Sequence, residues 1–137
     1  MKDKILVKID GSCHQNPHGE MGLAYIIEFQ NGETVTHSEV VEAKYGNTLI
    51  SAEYRTLNLA LEKLIGLNLT GSYIEINTTS SIILMHFLGH VNPNKGYYVG
   101  DALKAIKNLK RFKNIVIIKV QRKDNIEVVN LSKKITS

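Results

Sequence analysis

The sequence has little cysteine and no long hydrophobic run, and each absence excludes a class of protein. A single cysteine, Cys13, has no partner for an intramolecular disulfide, so we expect no disulfide framework. No apolar stretch approaches the ~20 residues that a membrane-spanning helix needs. Residues 1–10 alternate charged and apolar side chains, unlike a secretory signal. We therefore expect a cytoplasmic protein with no membrane partner.

What remains is the composition of a globular protein. The chain has 137 residues, of which 43% are hydrophobic and 22% are charged. That length buries a core and is too short for two domains. Since no repeat, low-complexity segment or linker interrupts the sequence, we assign residues 1–137 to a single domain. The 17 Lys and Arg residues against 13 Asp and Glu give a net charge of +4, which permits an anionic partner without identifying one.

The first half of the chain has the pattern of a three-stranded antiparallel meander. Residues 4–10 alternate between apolar and polar side chains, as in a strand with one buried face. After a glycine-rich loop, two β-rich runs at 23–30 and 33–42 flank Asn31-Gly32, a dipeptide typical of a tight hairpin.

Helical spacing replaces strand alternation in the second half. Tyr54, Leu57, Leu61 and Leu64 recur at helical intervals, and Gly66 offers a stop. The elements that follow are a strand at 72–77, helices at 80–88 and 101–112, a strand at 114–120 and a final helix after Asp124. The order βββ-α-β-α-α-β-α predicts an α/β fold with a five-stranded mixed sheet and helices on both of its faces.

Some side chains have expected positions within these elements. Thr78 or Thr79 is expected to cap the helix at 80–88, and Asp124 is expected to cap the final helix. The strand at 114–120 is nearly all apolar, as expected of a strand covered on both faces. The helix at 101–112 is expected to turn its apolar residues inward, namely Ala102, Leu103, Ile106 and Leu109.

Four short motifs, in the right order, resemble ribonuclease H type 1 and its relatives. They are Asp10-Gly11-Ser12 with Asn16-Pro17 and Gly22, Ala52-Glu53-Tyr54, Ile74-Glu75-Ile76-Asn77-Thr78 with Ser80, and Arg122 with Asn125. Each motif alone is weak, but together they cover nearly the whole chain. The resemblance implies the ribonuclease H-like fold.

The resemblance also implies two-metal hydrolysis of phosphodiesters, for which the family uses four carboxylates around Mg²⁺ or Mn²⁺. Two of the four positions fall on Asp10 and Glu53, which are present. The other two fall on Thr79 and Val129, and neither side chain supplies a carboxylate. A neutral hydroxyl and a hydrocarbon do not offset the charge of two divalent ions. We expect Asp10 and Glu53 to bind a metal weakly or not at all.

The family's contacts to nucleic acid are also only partly retained. Ser12 and Asn16 stand at positions that contact substrate in the family. The polar residues that contact RNA 2′-hydroxyls are replaced by Leu49 and Ile50, which form no side-chain hydrogen bonds. We therefore expect weaker recognition of an RNA/DNA hybrid, independently of the chemistry.

A basic helix is the remaining candidate for nucleic-acid binding. Lys104, Lys107 and Arg111 lie on one predicted helix, where family members grip the duplex backbone. Phosphate contacts of this kind give affinity without sequence specificity. The same residues also suit an ordinary solvated helix face. Tyr97 and Tyr98 nearby are either core residues or base-stacking residues.

Three functions are compatible with these residues. The first, which the missing carboxylates favour, is a non-catalytic ribonuclease H-like domain that binds nucleic acid (a hybrid or duplex, weakly and non-specifically) or a protein partner. The second is an active ribonuclease H that cleaves the RNA strand of hybrids with Asp10 and Glu53. The third is a structural or oligomerisation module, suggested by the apolar replacements Leu49, Ile50 and Val129.

Overall fold

Within residues 4–89 and 92–134, which the computed structural model describes, strands and helices follow one another in the predicted order. The elements are β1 (Lys4–Cys13), β2 (Met21–Glu28), β3 (Thr34–Val41), α1 (Leu49–Gly66), β4 (Tyr73–Thr78), α2 (Ser81–Phe87), α3 (Val99–Leu109), β5 (Asn114–Lys119) and α4 (Ile126–Lys134). A short 3-10 turn, Arg122–Asp124, precedes α4. None of the helices in this part of the chain is long and apolar enough to cross a membrane.

The five strands form one mixed sheet with β1 at its centre. The order across the sheet is β3-β2-β1-β4-β5. Strand β1 pairs antiparallel with β2 and parallel with β4, and β5 pairs parallel with β4. At the predicted hairpin, Gly32 has a φ of +90° and donates a backbone hydrogen bond to Phe29. The mixed five-stranded sheet predicted from the sequence is confirmed.

Helices cover both faces of the sheet. On one face, alternate residues of β1 such as Val7 and Ile9 pack against α1 residues such as Leu57 and Leu61. On the other face, Ala24 and Ile26 of β2 pack against Val128 of α4. The two-residue period of the strands therefore divides the apolar residues between two cores.

Strand β5 differs from the prediction because it lies at the edge of the sheet. Val116 is 49% exposed and Ile118 is 40% exposed, so the expectation of cover on both faces was wrong. Helix α4 packs on β1 and β2 and leaves this face of β5 open. In α3, Leu103 is exposed and Ala105 is buried, so the expected inward position of Leu103 was also wrong.

Two predicted helix caps are also corrected. Ser80, rather than Thr78 or Thr79, caps α2, because its hydroxyl accepts from the backbone N–H of Ile83 at 3.2 Å. Asp124 lies inside the 3-10 turn and does not cap α4. The first turn of α4 closes on the carbonyl of Asn125, one residue later.

Two glycines let helices approach the centre of the sheet. A Cβ atom on Gly11 would lie 2.5 Å from the carbonyl carbon of Ala52 and 2.6 Å from the nitrogen of Glu53. On the other face, a Cβ atom on Gly22 would lie 2.0 Å from the carbonyl oxygen of Ser132. Only glycine permits backbone contacts this close. The contact at Gly11 sets Glu53 beside the end of β1.

We therefore expect Gly11→Ala to destabilise the protein by about 1–3 kcal/mol, because the methyl group forces two backbones apart. Gly66→Ala is the control, since a Cβ atom there meets nothing within 4 Å. It is expected to stabilise the helix end by about 0.5–1 kcal/mol. Urea unfolding measures both. Equal stability of Gly11→Ala and the wild type would contradict the close packing of α1 on β1.

Candidate functional site

Asp10 is a buried carboxylate near the end of the central strand. Its side chain accepts a hydrogen bond from the Ser132 hydroxyl of α4 and is also hydrogen bonded to the Thr79 side chain. Burial raises the pKa of Asp10 above its ordinary value. The two hydroxyls and the positive charges of Arg122 and Lys133 lower the pKa without cancelling that effect. Asp10 is thus held by hydroxyl groups from α4 and from the segment that follows β4.

Glu53 approaches Asp10 from α1. Burial and the negative charge of Asp10 raise the pKa of Glu53 to about 7, and a hydrogen bond to the Ser80 side chain acts in the opposite direction. The Thr56 hydroxyl, on the next turn, lies 2.9 Å from the Ala52 carbonyl oxygen within α1 and 3.3 Å from the carbonyl oxygen of Asp10 on β1. The structure therefore brings together the two carboxylates that the sequence singled out.

Thr79 and Val129 occupy different surroundings. The Thr79 side chain contacts the Asp10 carboxylate, so a carboxylate in its place would face the same site. Val129 is almost completely buried. One turn later, the Ser132 hydroxyl lies 3.0 Å from the Val129 carbonyl oxygen and also donates to Asp10. The sequence prediction missed Ser132, although residues three apart share a helix face.

These residues do not fit a two-metal site. Two divalent ions need several carboxylates between them to offset a charge of about +4. In residues 4–89 and 92–134, no group of three or more His, Cys, Asp or Glu side chains is placed to hold a metal ion. Glu127, the nearest acidic residue to Val129 on α4, is exposed beside Ile26 and Thr36. Asp10 and Glu53 supply at most two negative charges.

A basic groove adjoins the carboxylate pair. It has a volume of about 540 Å³ and is lined by Thr79, Lys119, Val120, Gln121 and Arg122. Neither Lys119 nor Arg122 forms an ion pair with any side chain in the described part of the protein. The positive charge of Arg122 already acts on Asp10. Sequence reasoning missed Lys119, because it ends a strand whose four preceding residues are all apolar.

Ser12 and Asn16 both make contacts within the protein. The Ser12 hydroxyl donates to the carbonyl oxygen of Ser132 at 3.1 Å. The side-chain oxygen of Asn16 accepts from the backbone N–H of Leu49 at 3.1 Å. Leu49 is exposed at the start of α1, whereas Ile50 packs against the core. The polar side chains expected of an RNA-contacting surface are replaced here by an exposed leucine.

Lys104 lies away from the carboxylates. Its Nζ atom is 2.7 Å from Oε1 of Glu62 on α1. Glu62 follows Glu53 by nine positions, which is about 13 Å along a helix axis. Lys104 is therefore engaged in an ion pair farther along α1.

Arg111 lies near the end of the sheet where β4 begins, and Lys107 precedes it on α3. The backbone N–H of Lys113 donates to the carbonyl oxygen of Thr70 at 3.0 Å, which places the end of this segment near the start of β4. Thr79 immediately follows β4, whose 6 residues span about 20 Å. The structure does not bring Lys107 or Arg111 to the carboxylate pair, and their role in binding remains a prediction.

Solved structures of ribonuclease H1 share this fold. Ribonuclease H1 from the archaeon Halobacterium salinarum matches with a TM-score of 0.81 and 21% identity, over 96% of this chain and 96% of that chain. LC11 ribonuclease H1, isolated from compost, matches in its complex with an RNA/DNA hybrid with a TM-score of 0.83 and 24% identity, over 96% of each chain. An N-terminal ribonuclease H domain from Mycobacterium tuberculosis matches with a TM-score of 0.83 and 19% identity, over 96% of this chain and 92% of that one. No family model and no curated protein matches the sequence.

The likeness confirms, at the level of the fold, the resemblance that the motifs indicated. The chain has the ribonuclease H-like fold. At identities of 19–24%, the likeness shows a shared fold and does not show a shared activity. The activity has to be argued from the residues of the site itself.

The raised pKa of Glu53 predicts a stability that depends on pH. The folded protein binds this proton more tightly than the unfolded chain, because the pKa rises from 4.5 to about 7. Stability from this group is fully present below about pH 4.5 and is lost as the pH rises through about 7. We expect Glu53→Gln to be more stable than the wild type by about 1–3 kcal/mol near pH 8, and little different near pH 4.

Urea unfolding at both pH values measures the difference. Glu127→Gln is the control, because it removes an exposed carboxylate and is expected to change stability by less than ~0.5 kcal/mol at either pH. A gain for Glu53→Gln of the same size at both pH values would show that it does not come from titration of this carboxylate.

Proposed function

We propose that this ribonuclease H-like chain binds nucleic acid on the face around Asp10 and is severely impaired in hydrolysis, or inactive. One observation carries the proposal: a groove with two unpaired cations adjoins a site that retains only two carboxylates. The groove suits a phosphate backbone, whereas the carboxylate pair does not suit two catalytic ions.

The binding half of the proposal rests on Lys119 and Arg122. Both side chains are exposed and line the groove beside Thr79. Arginine offers a planar set of donors that matches phosphate oxygens, and lysine adds a mobile charge. Contacts of this kind give weak binding to a hybrid or a duplex, without sequence preference. Because Leu49 and Ile50 offer no side-chain hydrogen bond to a 2′-hydroxyl, we expect no strong preference for RNA.

The catalytic half rests on charge. Mg²⁺ or Mn²⁺ ions in a two-ion site together carry about +4, and Asp10 with Glu53 offsets at most half of it. Burial already raises the pKa of both carboxyls, so the full negative charge of the pair is itself disfavoured near neutral pH. Thr79 and Ser132 supply hydroxyl donors to Asp10 in place of further charge. Any single ion held by the pair is expected to bind weakly.

A second candidate function is an active ribonuclease H that cleaves the RNA strand of hybrids. The proximity by which the charge of Asp10 acts on Glu53 favours it, since these two residues are half of the family's ligand set. The two functions differ in metal binding, because an active site of this kind requires divalent ions held at working affinity.

The basic groove predicts how binding depends on salt. Changing Lys119 and Arg122 together to Gln is expected to flatten the log-log salt slope for duplex binding by up to about two, since each lost phosphate contact contributes about 0.9. Changing Lys107 and Arg111 to Gln removes the same charge outside the groove and is expected to leave the slope nearly unchanged. Fluorescence anisotropy between about 50 and 200 mM salt measures both pairs.

A slope that flattens for the Lys107 and Arg111 pair and not for the Lys119 and Arg122 pair would place the interface at α3 and its C-terminal end, which was the candidate from the sequence. Failure of the wild type to bind a hybrid, duplex DNA or duplex RNA at low salt would overturn nucleic-acid binding and favour a protein partner on this face.

The missing charge predicts how metal binding responds to substitution. Calorimetry of the wild type with Mg²⁺ or Mn²⁺ is expected to show no two-site binding. Thr79→Asp adds a carboxylate that faces Asp10 and is expected to tighten Mn²⁺ binding at least about tenfold. Thr70→Asp makes the same charge change at a half-buried threonine near the other end of β4 and is expected to have no such effect. Two-site binding by the wild type would contradict the impaired site.

A further inference from the structure

Three aromatic side chains from three separate loops meet on the protein surface. The rings of His18 and Tyr45 are stacked, with centroids 4.5 Å apart and planes inclined by 13°. Tyr97 meets both rings edge-on, with centroid distances of 5.6 Å to His18 and 5.4 Å to Tyr45. We call this group the aromatic cluster. Its members are far apart in sequence and come together only in the folded protein.

Hydrogen bonds hold the cluster in one arrangement. The backbone N–H of Gly46 donates to Nδ1 of His18 at 2.9 Å, which fixes the imidazole beneath Tyr45. The hydroxyl of Tyr97 donates to the hydroxyl of Tyr45 at 2.8 Å. The backbone N–H of His18 donates to the carbonyl oxygen of Asn47, which is itself buried. The rings are therefore ordered before any ligand arrives, which lowers the entropy cost of binding.

The cluster is open to solvent although it is ordered. Tyr45 is 76% exposed and Tyr97 is 52% exposed. A second stack in the same protein, Tyr54 with His86 and Tyr98, belongs to the core region and shows the ordinary structural use of such contacts. In the aromatic cluster, His18 covers one face of Tyr45 and leaves the rest of the ring accessible. A flat, exposed and fixed ring is suited to stacking against another planar group.

Two exposed lysines neighbour members of the aromatic cluster in the sequence. Lys44 directly precedes Tyr45, and Lys95 lies two positions before Tyr97. Both lysines are exposed, and neither forms an ion pair within the part of the chain that the structure describes. Aromatic rings beside unpaired cations are the combination that single-stranded nucleic acids bind, through stacked bases and contacted phosphates.

The cluster lies within a few nucleotides of the carboxylate pair. Thr48 caps α1, and Glu53 follows it by five positions, which is about 7.5 Å along the helix axis. Tyr45 precedes Thr48 by three positions, a span of at most about 11 Å. Since stacked nucleotides are spaced by about 3.4 Å along a strand, at most about five of them are needed to bridge the two sites.

We propose that His18, Tyr45 and Tyr97 form a stacking platform for an unpaired base of a nucleic-acid strand that also passes the carboxylate pair. Lys44 and Lys95 contact the phosphates on either side of that base. The inference rests on the proposed function and extends it, because it identifies a single-stranded segment as part of the ligand. The stacking is independent of base identity, since every base presents a flat face.

The test compares binding of a fluorescent oligothymidylate of roughly a dozen nucleotides with that of the same strand made abasic. Tyr45→Ala is expected to weaken binding of the intact strand by about 5- to 150-fold. Tyr45→Phe keeps the ring but loses the hydrogen bond from Tyr97, and it is expected to bind more tightly than Tyr45→Ala. The wild type is expected to bind the abasic strand as weakly as Tyr45→Ala binds the intact one. Tyr73→Ala is the control, because Tyr73 is 54% exposed on β4 and lies outside the cluster. Thermal unfolding confirms that each variant is folded.

The salt slope separates stacking from phosphate contacts, since Tyr45→Ala is expected to weaken binding without changing the slope. Equal binding of the oligothymidylate by Tyr45→Ala and the wild type, or equal binding of the abasic and intact strands, would overturn the platform. If the wild type still binds blunt duplex in that case, the proposed function stands while the platform fails. If the wild type binds no nucleic acid of any kind, both are lost.

Discussion

The close contact of α1 with β1 at Gly11 determines the geometry of the whole site. Because no side chain separates the two backbones, Glu53 lies beside the end of β1. The negative charge of Asp10 therefore raises the pKa of the Glu53 carboxyl. Gly22 permits an equally close approach on the other face, where the backbone and hydroxyl of Ser132 reach β1. Two helices thus enclose one strand end from opposite sides.

The enclosure leaves the buried Asp10 beside the half-buried Glu53, and the surrounding residues are suited to that condition without bound metal. A third carboxylate at position 79 would add to the cost of burying like charges, whereas Thr79 and Ser132 act as neutral partners for Asp10. The buried Val129 adds no polar group that requires a partner. In our account, Thr79 and Val129 impair metal binding and also stabilise the site as a protein interior. Lys119 and Arg122 of the adjoining groove form no ion pair within the described residues and are available to bind phosphate.

The sequence predicted features that depend on local pattern. Strand alternation, helical spacing and the Asn31-Gly32 hairpin set the order of elements, and the motifs around Asp10 and Glu53 placed the carboxylate pair. The exposed face of β5 was missed because an apolar sequence does not distinguish an edge strand from a central strand of a sheet. Ser132 and the aromatic cluster were missed because helix orientation and the meeting of three loops depend on tertiary packing. The ion pair of Lys104 with Glu62 also follows only from how α3 packs on α1.

The most direct measurement of the central claim follows binding and cleavage in one sample. An RNA/DNA hybrid labelled on its RNA strand is incubated with excess protein and Mg²⁺ or Mn²⁺ at low salt. Anisotropy reports binding, and the length of the RNA is read at intervals. Our account predicts that the hybrid is bound while its RNA strand stays intact at the level of a protein-free control. RNA cleavage that disappears in Asp10→Asn would contradict it and identify the chain as a working nuclease.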